Sequence, residues 1–223
     1  MTDMEKVKIH GVPETMMQTL FARTILLDQM VGAFLEEHPD ATVVNIACGL
    51  DTRVYRLDNG QVRWYNLDLP EVIDIRRRFL NEHGRISMIA KSAMNESWAE
   101  EIEDPTGEVL VVIEGLVMYL TEADVKKILF IICSRFEHAE IIMEIMCPFI
   151  MRHMKEKSIE ASKARFTWGL KSGKELESIV SGLTWSEDVS LVEGRKELYP
   201  VYKLLGWIQP VKNLSNKLVI LRK

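Results

Sequence analysis

Between Thr42 and Asp68 the chain spells a short apolar strand, a turn through Gly49, the start of a helix, and a second strand that ends on an acid. Residues 42–47 read as the first strand and residues 62–67 as the second. A glycine turn after one strand, beside an acid at the tip of the next, makes a crevice for an adenosine-bearing ligand. Ala47, Cys48 and Gly49 form the turn, and Gly49 lets the backbone approach a ligand closely. Asp68 stands 19 residues beyond Gly49 and can accept hydrogen bonds from both ribose hydroxyls. Alone, Gly49 reads as an ordinary helix-flanking glycine; the acid at this spacing turns it into a candidate binding loop.

The glycine pattern separates two ligand classes. A dinucleotide loop wants glycine at the positions held by Ala47, Gly49 and Thr52, and only Gly49 is present. Thr52 does not permit the close helix–strand packing that a pyrophosphate requires. S-adenosylmethionine has no pyrophosphate and tolerates a looser pattern.

Further strands are expected at residues 86–90, 109–114, 140–145, 189–192 and 217–221, and helices at 13–37, 71–83, 122–135 and 174–181. Pro70 is a good first residue for the second of these helices. The run Val109-Leu110-Val111-Val112-Ile113 is apolar without alternation. Such a strand is buried on both faces, which implies a parallel sheet with helices on each side. The 223 residues suffice for one α/β domain, and no linker interrupts them. A net charge of -5 recruits no nucleic acid. The charged first ten residues do not make a signal peptide, and no apolar run reaches membrane-span length. Cys48, Cys133 and Cys147 lack metal-ligand spacing and suit a reducing, cytoplasmic setting. His10, His38, His83, His138 and His153 are scattered, so no metal is expected.

Four segments occur in a recognisable order: Leu20-Phe21-Ala22-Arg23, Asn45-Ile46-Ala47-Cys48-Gly49-Leu50-Asp51-Thr52-Arg53, Leu67-Asp68-Leu69-Pro70, and Ile113-Glu114-Gly115-Leu116-Val117-Met118-Tyr119-Leu120-Thr121. Together they resemble the leucine carboxyl methyltransferase and tetracenomycin-type O-methyltransferase family, a branch of the class I S-adenosylmethionine-dependent methyltransferases. The likeness is strong over residues 13–121 and weaker beyond, where Phe166-Thr167-Trp168-Gly169 also fits. It implies a Rossmann-like class I methyltransferase fold: a mostly parallel seven-stranded sheet, helices on both faces, an N-terminal helical lid at residues 1–40 and a substrate-side insertion at 148–172. It also implies S-adenosylmethionine as cofactor and S-adenosylhomocysteine as product.

By the same resemblance Arg23 binds the methionine carboxylate, Asp68 with Leu69 holds the ribose, and Glu114 contacts the methionine end of the cofactor. The acid that usually reads the adenine amino group is replaced by Ser92 and Ala93, and a serine hydroxyl accepts that bond more weakly than a charged oxygen. Arg53 either holds an acidic substrate or braces the loop, while Arg56 reads as part of a solvated helix face. Tyr119 either lines the substrate side or packs. Cys48 reads as packing, since no partner base is visible. No residue stands out as a general base. That weakly favours a carboxylate acceptor over a hydroxyl, because a carboxylate is already ionised at pH 7. A small-molecule acceptor is expected, and oligomeric state stays open. Two other readings compete: a cofactor-binding sensor with weak catalysis, which the Ser92 departure would allow, and an NAD-dependent oxidoreductase, which the missing glycines oppose.

Overall fold

Apolar runs buried on both faces decide the architecture. The computed structural model describes residues 12–153, 165–194 and 215–223. Their strands are β1 (Thr42–Ile46), β2 (Arg63–Asp68), β3 (Ile86–Ala90), β4 (Glu108–Ile113), β5 (His138–Ile145), β6 (Thr184–Ser190) and β7 (Lys217–Arg222). They form one seven-stranded sheet in the order β3-β2-β1-β4-β5-β7-β6. β1 to β5 pair in parallel, and β7 runs antiparallel to both β5 and β6.

The pleat sends successive residues to opposite faces. Val109, Val111 and Ile113 meet one core, and Leu110 and Val112 meet the other. Helix α1 (Val12–Glu37) covers the second face with Leu26, Leu27, Val31, Phe34 and Leu35. Helix α4 (Glu122–Arg135) covers the first with Val125, Ile128, Leu129 and Ile132, spaced for one helical stripe. Each such fully buried side chain contributes ~1.5–3 kcal/mol. A capping box starts α4: Thr121 Oγ1 accepts from the Asp124 N–H, and the Asp124 carboxylate accepts from the Thr121 N–H. Shorter helices include α2 (Arg53–Leu57), α3 (Pro70–Phe79) and α5 (Pro148–His153), with Pro70 in the first turn of α3. Among the described residues no helix is long and apolar enough to cross a membrane.

Three expectations shift. Helix α3 stops at Phe79 rather than residue 83, because the chain turns to send the Glu82 side chain back against Arg76. The sixth strand is Thr184–Ser190, not residues 189–192. Its sequence is polar, and among the described residues it pairs only with β7, at the edge of the sheet, where polar residues are tolerated. The segment expected as a helix at 174–181 is a 3-10 turn over Gly173–Ser178, capped by Ser172 and Glu175. From Leu26 onward α1 is a core layer of the sheet; the expected lid can only concern what precedes it. Of the 148–172 insertion, residues 154–164 lie outside the described residues, as does the side chain of His153. The remainder is anchored: Thr167 N–H donates to Met118 O (2.8 Å), Leu170 N–H donates to Met146 O (3.0 Å), and Trp168 is buried. A Cβ on Gly169 would stand 2.5 Å from Met146 O, so this close approach requires glycine.

Strand order reverses between β1 and β4. The loops leaving those strands diverge to opposite sides of the sheet and open a crevice at its carboxyl edge.

Candidate functional site

The loop after β1 has an unusual backbone. Ala47 (φ 56°) and Gly49 (φ 49°) both adopt the left-handed conformation, which is strained for alanine. Hydrogen bonds hold it there. Cys48 N–H donates to Leu67 O (3.1 Å), Asp51 N–H to Cys48 O (2.9 Å), and Gly49 N–H to Asp68 Oδ2 (2.8 Å). The other Asp68 oxygen accepts from Leu69 N–H (2.8 Å). Each carboxylate oxygen therefore keeps acceptor capacity for a diol. A Cβ on Gly49 would meet no atom within 4 Å, so that side of the loop is open.

Behind the loop runs a buried polar circuit. Asn45 Nδ2 donates to Asp51 Oδ2 (3.0 Å) and to Asn66 Oδ1 (3.3 Å), and Trp64 Nε1 donates to the same Asn66 oxygen (3.1 Å). Asn66 Nδ2 donates to Glu82 Oε2 (3.0 Å). The carboxylate of Glu82 pairs with Arg76, both side chains fully buried, and Arg76 Nη1 returns to Gly49 O (2.9 Å). The peptide groups of Gly49 are thus held from both ends, by Asp68 and by Arg76. Burial acts against the Arg76 charge, but Glu82 outweighs it and the guanidinium pKa rises.

In front of the loop lies a ladder of alternating charges. Arg53, 1 % exposed, donates to Asp28 (2.9 Å), Asp51 (2.6 Å) and Glu114 (3.0 Å), joining α1, the loop and the end of β4. Arg56 pairs with the same Asp28 from a more exposed position. Arg23 continues the ladder: its Nε faces Glu114 Oε1 and its Nη1 donates to Glu144 Oε2 (3.0 Å). The Nε contact brings opposite charges together but is too poorly aligned for a hydrogen bond, so that buried N–H remains without one. Burial acts to lower the Arg23 pKa, and the charges of Glu144 and Glu114 raise it overall. At Glu144 the balance tips the other way. Burial pushes its pKa up, with Glu114 in the same direction and Arg23 opposing.

A cavity of about 420 Å³ opens between the loop and α1, within the usual range for small-ligand sites. Arg23, Ala47, Cys48, Arg53 and Glu114 line it, so these expected residues come together. Asp68 and Leu69 lie along the same sheet edge at the tip of β2, next to the loop they hydrogen-bond. Ser92 and Ala93 follow β3, one strand further out; Ser92 Oγ accepts from Met94 N–H (3.2 Å) and Ala93 O from Trp98 Nε1 (3.1 Å). Tyr119 is half exposed and packs its ring on Phe166, centroids 5.3 Å apart. Asp28 and the buried side chains of Arg76, Glu82 and Glu144 join the site without a sequence motif to announce them. Glu144 had one signal: a lone acid inside the apolar run of β5, where an unpaired charge would be costly.

Cys48 is no nucleophile in this setting. Burial pushes its pKa from 9.0 to about 12, which keeps it a thiol at neutral pH. We expect iodoacetamide at pH 8 to leave Cys48 unmodified in the native protein and to alkylate it after denaturation, read by peptide mass spectrometry. Rapid native labelling would contradict this. The sign of the linkage follows: the thiol's contribution to stability is complete below pH 9.0 and drains away as pH rises toward about 12. His38, His83 and His138 all sit at the amino-terminal edge of the sheet, opposite the site: each lies just before a strand or at its first residue. Among the described residues no cluster of His, Cys, Asp and Glu could hold a metal ion.

Comparison with known proteins follows the same lines. The family profile for leucine carboxyl methyltransferase matches residues 2–133. The tetracenomycin polyketide synthesis O-methyltransferase TcmP of Streptomyces glaucescens is 34% identical over 194 residues, spanning 85% of this chain and 72% of that protein. The S-adenosyl-L-methionine-dependent methyltransferase dpfgK of Gibberella zeae is 29% identical over 209 residues, spanning 87% of this chain and 70% of its own length. Among solved structures, one from Thermobifida fusca YX assigned to the methyltransferases superposes with a TM-score of 0.66 at 15% identity, covering 96% of this chain and 84% of that one.

Proposed function

The chain belongs to the leucine carboxyl methyltransferase family and is an S-adenosylmethionine-dependent methyltransferase, and we propose that it methylates an oxygen of a small-molecule acceptor, a carboxylate in preference to a hydroxyl. The observation that carries the acceptor class is that no free base faces the cavity among the described residues. Glu114 and Asp51 are engaged by arginines, Cys48 is protonated, and the histidines with described side chains lie at the far edge of the sheet. A hydroxyl acceptor would need such a base; an ionised carboxylate does not.

The residues suit the cofactor. Asp68 would take the ribose diol, the open face of Gly49 admits the nucleoside, and the Arg23 guanidinium on the cavity wall suits a carboxylate at the methionine end. Glu114 would lie near the cationic groups there. Ser92 would accept from the adenine amino group. When bound, S-adenosylmethionine would supply a methyl group activated on sulfur, so that an ionised carboxylate could take it with its own lone pair as the C–S bond pair passes to sulfur, with no proton to remove. What remains for the protein is alignment and exclusion of water, and orientation alone can supply ~7–11 kcal/mol of a barrier. The start of α1, with Leu20 and Arg23 on the cavity wall, would close over the cofactor as a lid.

Titration calorimetry with S-adenosylmethionine and S-adenosylhomocysteine, with NADH as control, tests the binding reading. Binding of the first two alone is expected. Arg23→Ala should weaken S-adenosylmethionine about 10–100-fold, the loss of one charge-assisted contact; a wild-type dissociation constant would remove Arg23 from the site. A labelled-methyl screen over carboxylic acids and phenols tests the acceptor. Methyl esters are cleaved by mild base and aryl ethers are not, so a base-stable labelled product would overturn the carboxylate preference.

A further inference from the structure

Glu144 is a deeply buried carboxylate bordering the site, and no motif marks it. It stands near the end of β5 with a side chain 2 % exposed. Its two oxygens serve three elements. Oε2 accepts from Arg23 Nη1 on α1 (3.0 Å) and from the Gly115 N–H after β4 (3.1 Å); Oε1 accepts from Asn216 Nδ2 before β7 (3.3 Å). Gly115 adopts a left-handed turn (φ 66°) directly after Glu114, so Glu144 fixes both the guanidinium that faces the cavity and the turn that presents Glu114.

We propose that Glu144 is a positioning residue for the methionine end of the cofactor, acting through Arg23 and the Gly115 turn. The inference rests on S-adenosylmethionine binding in the cavity as read above. Its charge is hard to explain otherwise. Among the described residues the groups facing Glu144 are Arg23, the Glu114 carboxylate behind it, the Gly115 N–H and the Asn216 amide. Arg23 already has Glu114 as a counter-ion. A neutral amide at 144 could still accept from Arg23 and Gly115, giving up only the bond from Asn216, whose Oδ1 is held by the Cys147 N–H (3.3 Å). A buried ion pair adds little stability over a neutral replacement, but it does specify geometry. Burial, the largest influence on Glu144, pushes its pKa up, so holding a charge there is itself unfavourable.

The test uses two ligands on wild type and Glu144→Gln: S-adenosylmethionine, and adenosine, which lacks the methionine end. The variant should bind S-adenosylmethionine about tenfold more weakly, bind adenosine within about twofold of wild type, and melt within ~4 °C of wild type. Equal S-adenosylmethionine affinity would overturn the proposal, and so would parallel losses for both ligands, which mark a merely structural role. If Glu144→Gln does not fold, Glu144→Asp is read by the same ratio: it keeps the charge but withdraws it by one methylene, and a selective loss for S-adenosylmethionine is again required. A wild type that binds neither ligand overturns the cofactor reading together with this one. A wild type that binds both while the variant matches it overturns this one alone.

Discussion

Asp68→Ala should reduce S-adenosylmethionine affinity by at least about 100-fold, measured by titration calorimetry. The carboxylate is expected to accept from the ribose diol, and a hydrogen bond to a charged acceptor contributes ~1.5–3 kcal/mol. Two such bonds lost together correspond to about 3–6 kcal/mol, or two to four decades in affinity. The same oxygens hold Gly49 N–H and Leu69 N–H, each at 2.8 Å, so the substitution also releases the loop that faces the nucleoside. Asp68→Asn separates the two roles: it keeps one acceptor for Gly49 and should fall between alanine and wild type. An alanine variant with wild-type affinity would refute the ribose role.

Arg53→Met should destabilise the fold by about 3 kcal/mol in chemical denaturation. Removing one member of a buried ion cluster leaves the others uncompensated, at ~3–5 kcal/mol. The lower end applies because Asp28 retains Arg56, Glu114 retains Arg23, and the three carboxylates are 17–22% exposed and can recruit water. For a chain of this size that loss lowers the melting temperature by ~6–12 °C. Arg53→Lys keeps a charge but not a fork reaching three elements, and should recover only part of the loss. A methionine variant within 0.5 kcal/mol of wild type, a margin of about the size seen for ordinary surface substitutions, would show that the ladder carries no stability.

These two residues differ in how they could be read. Asp68 acts with Gly49 across one strand–turn–helix–strand unit, and its spacing is written into a local motif. Arg53 belongs to a motif too, but the motif left two roles open. Its burial among Asp28, Asp51 and Glu114 makes it a brace of the loop, a role that depends on α1 and β4 arriving from distant parts of the chain. Arg56 read as a solvated position; it is partly exposed and also clamps Asp28.

What the chain itself determined is whatever depends on neighbours in sequence. The apolar run of β4, without alternation, set a strand covered on both faces and hence a parallel sheet, because a polar side chain in such a strand is costly unless it is paired. Pro70 and the Thr121–Asp124 capping box set helix starts. The turn through Gly49 and the acid at Asp68 set the crevice proposed for the cofactor. Tertiary structure decided the rest. Among the described residues the sixth strand is an edge, where polar residues are tolerated, and a strand becomes an edge only once the sheet is assembled. Arg76 folds back on Glu82 and Gly49, and Glu144 meets Arg23 from 121 residues away. Charges brought together over such separations are selected by burial, since each must find a partner when the sheet excludes water. That pairing leaves no periodicity or spacing in the sequence to announce it.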